Sequence, residues 1–350
     1  MSYFEKTRIL SADSPSIDAF GKWRVSQPTT LFDSKQVVDS GSFYFDIKTT
    51  SGGTVTWNSG SAQSTMAVTS TSGSRAIKQT KRIFVYQPGK SQQIICTGKF
   101  GTKVDGIKKS IGSFDDNDGY FFQTSGSSFG VVLRILIYVH EINNYNSLDT
   151  VYLRNPNLPI RYEMSTHKNT TTGSLMTQIC STVISEGGFD NTGKRVVVTS
   201  NNGATIGASE YDAVLFIRYN SSTSKGAQIV PEQLDLLIKP GNSSTFAGRW
   251  ELLVNPTVTN AVTYNNASGS IVTQVAVVAA GNVITNPGTI IATGYFAGTS
   301  ANSVAQMIVL DPYYGLGRKI DGTSDVLAVG IKTIDNTYTV YPSLIVRELI

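Results

Sequence analysis

Residues 131–164 read VVLRILIYVHEINNYNSLDTVYLRNPNLPIRYEM, two runs rich in β-branched and aromatic side chains around an Asn-rich turn at Asn143 to Ser147. Such side chains fit a pleated surface, so the stretch predicts two strands joined by a loop. Alternation puts Ile135, Ile137 and Val139 on one face and Leu136, Tyr138, His140 and Ile142 on the other. Both faces are largely apolar. The strand is therefore expected inside a sandwich or barrel, with His140 and Glu141 at its rim.

Similar runs continue in both directions. SFYFDIKT, GGTVTW, QSTMAVTST, RIFVYQ and QQIICTGKF precede the stretch, and after Gly187 and Gly188 come KRVVVTS, DAVLFIRYN, RWELLVNPTV, SIVTQVAVVAA and others up to YTVYPSLIVREL. Short strands spaced by Gly, Ser and Asn indicate a sandwich or barrel. The best helix signal is PEQLDLLI at 231–238, where Pro231 suits the first turn of a helix, although the run also suits a strand. No fixed-period repeat is present, which argues against a propeller or solenoid. The expected fold is all-β: an antiparallel β-sandwich of jelly-roll type over residues 41–350, with any division falling near 187–205.

Residues 1–40 differ from the rest. Pro15, Gly21 and Pro28 interrupt any periodicity, while Phe20, Trp23 and Phe32 are too apolar for a free tail. They predict an extended arm that docks on its own domain or a neighbouring subunit. In that role Phe20, Trp23 and Phe32 bury apolar area and Arg24 offers a bidentate donor.

With 350 residues the chain can bury about three quarters of its unfolded surface. Only 15% of residues are charged and the net charge is +4. The densest basic cluster, Lys78, Lys81 and Arg82, is too short to predict direct nucleic-acid binding. Cys96 and Cys180 lie in apolar runs, where Cys acts as a small buried hydrophobe, and nothing demands a disulfide. MSYFEKTRIL lacks the basic and apolar regions of a secretory signal. No apolar stretch approaches the roughly 20 residues that span a bilayer. A soluble protein made in a cytoplasm, without membrane insertion, is expected.

Motifs with chemical meaning fail their context tests. Gly126-Ser127-Ser128-Phe129-Gly130 fits the nucleophile-elbow pattern, but a strand-like run follows the serine where a helix is required. PGKS at 88–91 has Phe84 where a phosphate loop needs its first glycine. Asp115, Asp116 and Asp118 precede Gly119 as in a calcium loop, yet Phe114 and Ser125 stand at its end ligand positions, so a tight turn is expected. Two histidines, His140 and His167, are too few for a three-histidine metal site. Glu141, Asp149 and Glu163 offer carboxylate pairs for sugar hydrolysis, although turn or solvated carboxylates are the commoner explanation. Tyr44, Trp57, Tyr313, Tyr314 and Tyr341 fall in or near polar loops, where aromatics stack on sugars or fill interfaces. No catalytic residue, metal or cofactor is assigned, and the chain is not expected to be an enzyme.

Several phrases carry a resemblance: IDAFGKWRVSQPTTLFDSKQ (17–36), YQPGKSQQIICTGKFG (86–101), SIGSFDDNDGYFFQ (110–123), IYVHEINNYNSLDTVYLRNPNLPIRYEM (137–164), QICSTVISEGG (178–188) and RWELLVNPTV (249–258). Together they resemble virion structural proteins of tailed bacteriophages, with relatives in other large double-stranded DNA viruses. One departure is a longer segment in that family between the regions matching Arg134 and Ile135. The resemblance implies a virion component whose partners are copies of itself and other virion proteins. Alternatives are a module binding host-surface carbohydrate and, more remotely, a polysaccharide depolymerase.

Overall fold

The computed structural model describes residues 28–87, 90–134, 155–186, 193–220, 222, 226–241, 245–278, 282–299, 303–310 and 314–349, and every regular element among them is a β-strand. No helix among them is long and apolar enough to cross a membrane. The chain forms two compact units, Met1–Thr80 with Phe84–Asn191, and Lys81–Ile83 with Thr192–Ile350. Several positions named above lie outside the described residues: Phe20, Trp23, Arg24, Pro88, Gly89, the run from Ile135 through Asn143–Ser147 to Asp149, Gly187, Gly188 and Tyr313.

Unit 1 contains β1 (Pro28–Lys35), β2 (Phe45–Thr50), β3 (Thr54–Asn58), β4 (Gln63–Val68), β5 (Arg75–Thr80), β6 (Gln92–Lys99), β7 (Ile107–Phe114), β8 (Gly119–Ser125), β9 (Ser128–Arg134), β10 (Ile160–Thr166) and β11 (Ser174–Glu186). One antiparallel sheet runs β1-β11-β4-β3, with β6 also on β11; the other runs β2-β5-β10-β7-β8-β9. Thr177 and Gln178 pair with both β4 and β6, so these two strands flank β11 on opposite sides. Alternation sends Ile160, Tyr162 and Met164 of β10 inward, where they meet Phe32, Met66, Met176 and Val183 of the facing sheet. Burying each such side chain contributes about 1.5–3 kcal/mol.

Unit 2 contains β12 (Lys194–Thr199), β13 (Ala204–Ile206), β14 (Tyr211–Tyr219), β15 (Gln228–Pro240), β16 (Thr245–Val254), β17 (Thr257–Val258), β18 (Asn265–Asn266), β19 (Thr273–Val277), β20 (Ile284–Asn286), β21 (Thr289–Thr299), β22 (Val304–Val309), β23 (Val326–Asp335) and β24 (Tyr338–Leu349). Its sheets run β12-β24-β15-β22, with β13 also on β24, and β18-β19-β14-β23-β16-β21, beside a small β17-β20 pair. Numbering β12, β14, β15, β16, β21, β22, β23 and β24 one to eight gives the orders 1-8-3-6 and 2-7-4-5. That is a jelly roll, two Greek keys closed into a sandwich.

Unit 1 repeats this order. With β1, β5, β6, β7, β8, β10 and β11 as strands one to five, seven and eight, its sheets read 1-8-3 and 2-7-4-5. Strand β4 adjoins β11 on the side of β1, as β13 adjoins β24 on the side of β12. The chain shows no fixed-period sequence repeat because the shared feature is strand order, which loops of unequal length can preserve.

Three local expectations change. Residues 231–238 lie within β15, and the ladder with β24 slips between Pro231 and Gln233, a bulge that accommodates a residue with no N–H to donate. Residues 28–35, read as part of the arm, form β1 and pair with β11. Among the described strands β9 stands at the edge of its sheet, with Val131 72% and Leu133 55% exposed. The cysteines are free. Cys96 stands opposite Ser181 and Cys180 opposite Thr97, so the two thiols project to opposite faces of the β6–β11 ladder.

Candidate functional site

The densest polar constellation lies on the outer face of the six-stranded sheet of unit 1. Arg161 and Glu163 are two apart on β10 and therefore share a face, beside Arg75 and Gln79 of β5. Asp116 reaches them from the β7–β8 turn. Arg161 Nε donates to Gln79 Oε1 at 2.6 Å, and its Nη1 lies 2.7 Å from Asp116 Oδ1 and 3.3 Å from Glu163 Oε2. Arg75 Nη2 lies 3.0 Å from the same Asp116 oxygen and 2.9 Å from Glu163 Oε1. The Arg161 guanidinium also sits over the Phe114 ring, 5.4 Å from its centroid.

Two cations and two carboxylates thus close on one another. Burial alone would raise the Asp116 pKa, but hydrogen bonds and charge from Arg161 and Arg75 outweigh it and hold the group at about 2. Asp116 is therefore a carboxylate at neutral pH and donates no proton. Glu163, a candidate for sugar hydrolysis, is engaged by both guanidiniums, while Glu141 and Asp149 lie outside the described residues. The arrangement clamps strands and a turn together.

The acidic turn divides its carboxylates among separate tasks. Asp115 Oδ1 accepts the backbone N–H groups of Asn117 at 2.7 Å and Asp118 at 2.8 Å, while Asp116 faces the arginines and Asp118 is buried. Among the described residues no group of three His, Cys, Asp or Glu side chains is placed to hold a metal. Asp115→Ala strips two turn amides of their acceptor and is expected to cost about 1–2 kcal/mol in urea unfolding. Gly126 and Ser127 form the two-residue β8–β9 turn, with Gly126 at φ +57° in its first position. A hairpin with glycine at that position leaves no elbow for Ser128.

The other sequence candidates scatter. Phe32 lies in the unit 1 core, its ring 5.5 Å from that of Phe84 and 6.0 Å from that of Phe45. Trp57 donates its indole N–H to Gln36 O at 2.9 Å, Tyr341 lies beneath Lys239, and burial pushes the Tyr314 hydroxyl pKa up. Tyr44 remains exposed. His167 is exposed, and His140 lies outside the described residues.

Sequence reasoning missed two buried lysines. Lys78 Nζ donates to Gln36 Oε1, Ser40 O and Ser64 Oγ at 2.7–2.8 Å. Lys109 Nζ donates to the main-chain carbonyls of Phe100, Thr102 and Leu175. Desolvation lowers both pKa values to about 8. Their even spacing with inward apolar neighbours, Ala76 with Lys78 and Ile107, Lys109 and Ile111, is the signal that could have placed them inside.

No protein-family model matches the chain, and no curated protein matches it either. Among solved structures, the N-terminal CBM22-1-CBM22-2 tandem domain from Paenibacillus barcinonensis Xyn10C aligns at 6% identity and a TM-score of 0.25, covering 92% of this chain and 99% of that one.

Proposed function

We propose that this protein is a structural component of a bacteriophage virion, acting by self-assembly and docking as a capsid or tail accessory, decoration or fibre-type protein. The observation that carries the proposal is the jelly-roll strand order of unit 2, repeated at seven of eight places in unit 1. Jelly rolls build viral capsid and lectin domains, an argument by architecture. The resemblance to phage virion proteins gives the same direction from independent sequence phrases. The charge clamp around Arg161 serves rigidity, which suits a particle component.

The test is to raise an antibody against the purified protein, label intact particles, and assay the same particles by mass spectrometry. Labelled particles containing the chain support the proposal, and particles that lack it refute it. Residues 1–27 carry Phe20, Trp23 and Arg24 and precede β1, so their removal spares every described strand. We expect the truncated chain to fold and to be left out of particles.

A host-surface glycan is the alternative partner. With the Trp57 indole N–H bonded to main chain, the loop aromatics lose part of the stacking surface that reading needs. Binding on a glycan array that is lost in Tyr44→Ala would favour the alternative.

A further inference from the structure

The core of unit 1 holds an amine and a carboxamide in contact. Lys78 of β5 and Gln36, one residue past β1, are both fully buried. Lys78 Nζ lies 2.8 Å from Gln36 Oε1, an atom one bond from the carboxamide carbon, and also donates to Ser40 O at 2.7 Å and Ser64 Oγ at 2.8 Å. Ser64 Oγ in turn donates to Gln36 Oε1 at 2.8 Å. The glutamine main chain is fixed on both sides, its N–H on Ile179 O and its carbonyl accepting the Trp57 indole N–H. Its Nε2, although buried, has no hydrogen-bond partner among the described residues. Leaving a buried donor unmade is unfavourable, so this nitrogen calls for a reason.

The surroundings favour a neutral amine. Burial lowers the Lys78 pKa to about 8, and Asp39, the charged neighbour acting on it, opposes this only in part. Once neutral, Nζ has two hydrogens for its three acceptors. Ser40 O and Ser64 Oγ keep theirs, and the lone pair turns to the carboxamide.

We propose that Lys78 and Gln36 join in an intramolecular isopeptide bond, formed by the folded chain itself. The deprotonated Nζ attacks Gln36 Cδ, a C–N bond forms, and negative charge develops on Oε1, where the Ser64 hydroxyl already donates. One proton passes from Nζ to Nε2. The Cδ–Nε2 bond then breaks and ammonia leaves, removing the unpartnered nitrogen. Nothing is oxidised or reduced, and the fold supplies the high effective concentration that such a step requires. The bond ties the β1 end of one sheet to β5 of the other, between residues 42 apart in sequence. Lys78 titrates in the open form, and closure ends that titration. This proposal does not depend on the virion role.

The test is mass spectrometry of the full-length wild-type chain after incubation for days at pH 7 and at pH 9. Closure lowers the intact mass by one ammonia, faster at pH 9. Trypsin then leaves Lys78 uncut, and peptides 36–48 and 76–81 run as one species lighter than their sum by one ammonia. Ser64→Ala should slow closure on the order of a hundredfold, the loss of one donor to the developing oxyanion. Lys78→Arg should abolish it. A wild-type chain that keeps its full mass at pH 9 and is cut after Lys78 would overturn the proposal. So would an ammonia loss that maps only to other residues, or one that Lys78→Arg retains in full.

Discussion

Arg161→Met lowers the stability of unit 1 by about 3–5 kcal/mol, the cost of breaking a buried ion pair. The guanidinium is 2% exposed and serves Gln79, Asp116 and Glu163 at once. Methionine fills much of the volume of the arginine stem, so little of the loss comes from a cavity. What remains is a carboxylate at Glu163, 8% exposed and left with Arg75 alone, and a Gln79 oxygen without its donor. Arg161→Lys should recover little, because a point charge cannot bridge three acceptors as a planar fork does. Denaturant unfolding checks this: the unit 1 transition shifts and that of unit 2 does not. A change below about 1 kcal/mol would mean that the network is incidental. Asp116 adds a pH signature. Its folded pKa lies below the unfolded value, so its contribution is present above the ordinary carboxylate range and is lost as pH falls towards 2. Arg161→Met should shrink that acid limb, which is small because Asp116 is half exposed.

The second large effect is an alkaline gain in stability. Lys78 and Lys109 have folded pKa values of about 8, below the 10.5 of a free lysine. Between those values the unfolded chain holds more protons than the folded one, so stability rises with pH. The slope is at most about 1.4 kcal/mol per pH unit for each lysine. Below pH 8 both states are protonated and the desolvation cost is fully present. Buried tyrosines act oppositely: Tyr162, Tyr219 and Tyr338 have raised pKa values, so the unfolded chain loses protons first and stability falls above pH 10. A maximum near pH 10 is therefore expected. Thermal melts from pH 7 to 11 would show it, and Lys78→Met and Lys109→Met should each flatten the rising limb. A wild-type profile that declines steadily from pH 8 would contradict the assignment.

Much of the fold was legible because strands record their environment locally. The alternation in IRYEMST is the β10 strand, and the Asp-Asn-Asp-Gly and Gly-Ser turns fall between the strands they were expected to join. What failed depends on partners distant in sequence. VVLR has the composition of a buried strand, but its exposure is set by what lies across from it, which a run of seven residues cannot encode. Lys78 looked like part of a solvated basic cluster because a charge inside a sandwich is permitted only by its acceptors, and Gln36 is 42 residues away. The Arg161 network likewise joins residues up to 88 apart.

The 1-8-3-6 order also constrains synthesis. In each unit the first and last strands are hydrogen-bonded neighbours, β1 with β11 and β12 with β24. As the ribosome works, β12, β13 and β15 wait without their central partner until Tyr338–Leu349 emerges. Unit 1 is released from that wait once Glu186 is made. A chain stopped before residue 338 would thus present three open strand edges in its second half beside a first half whose β11 is already in place.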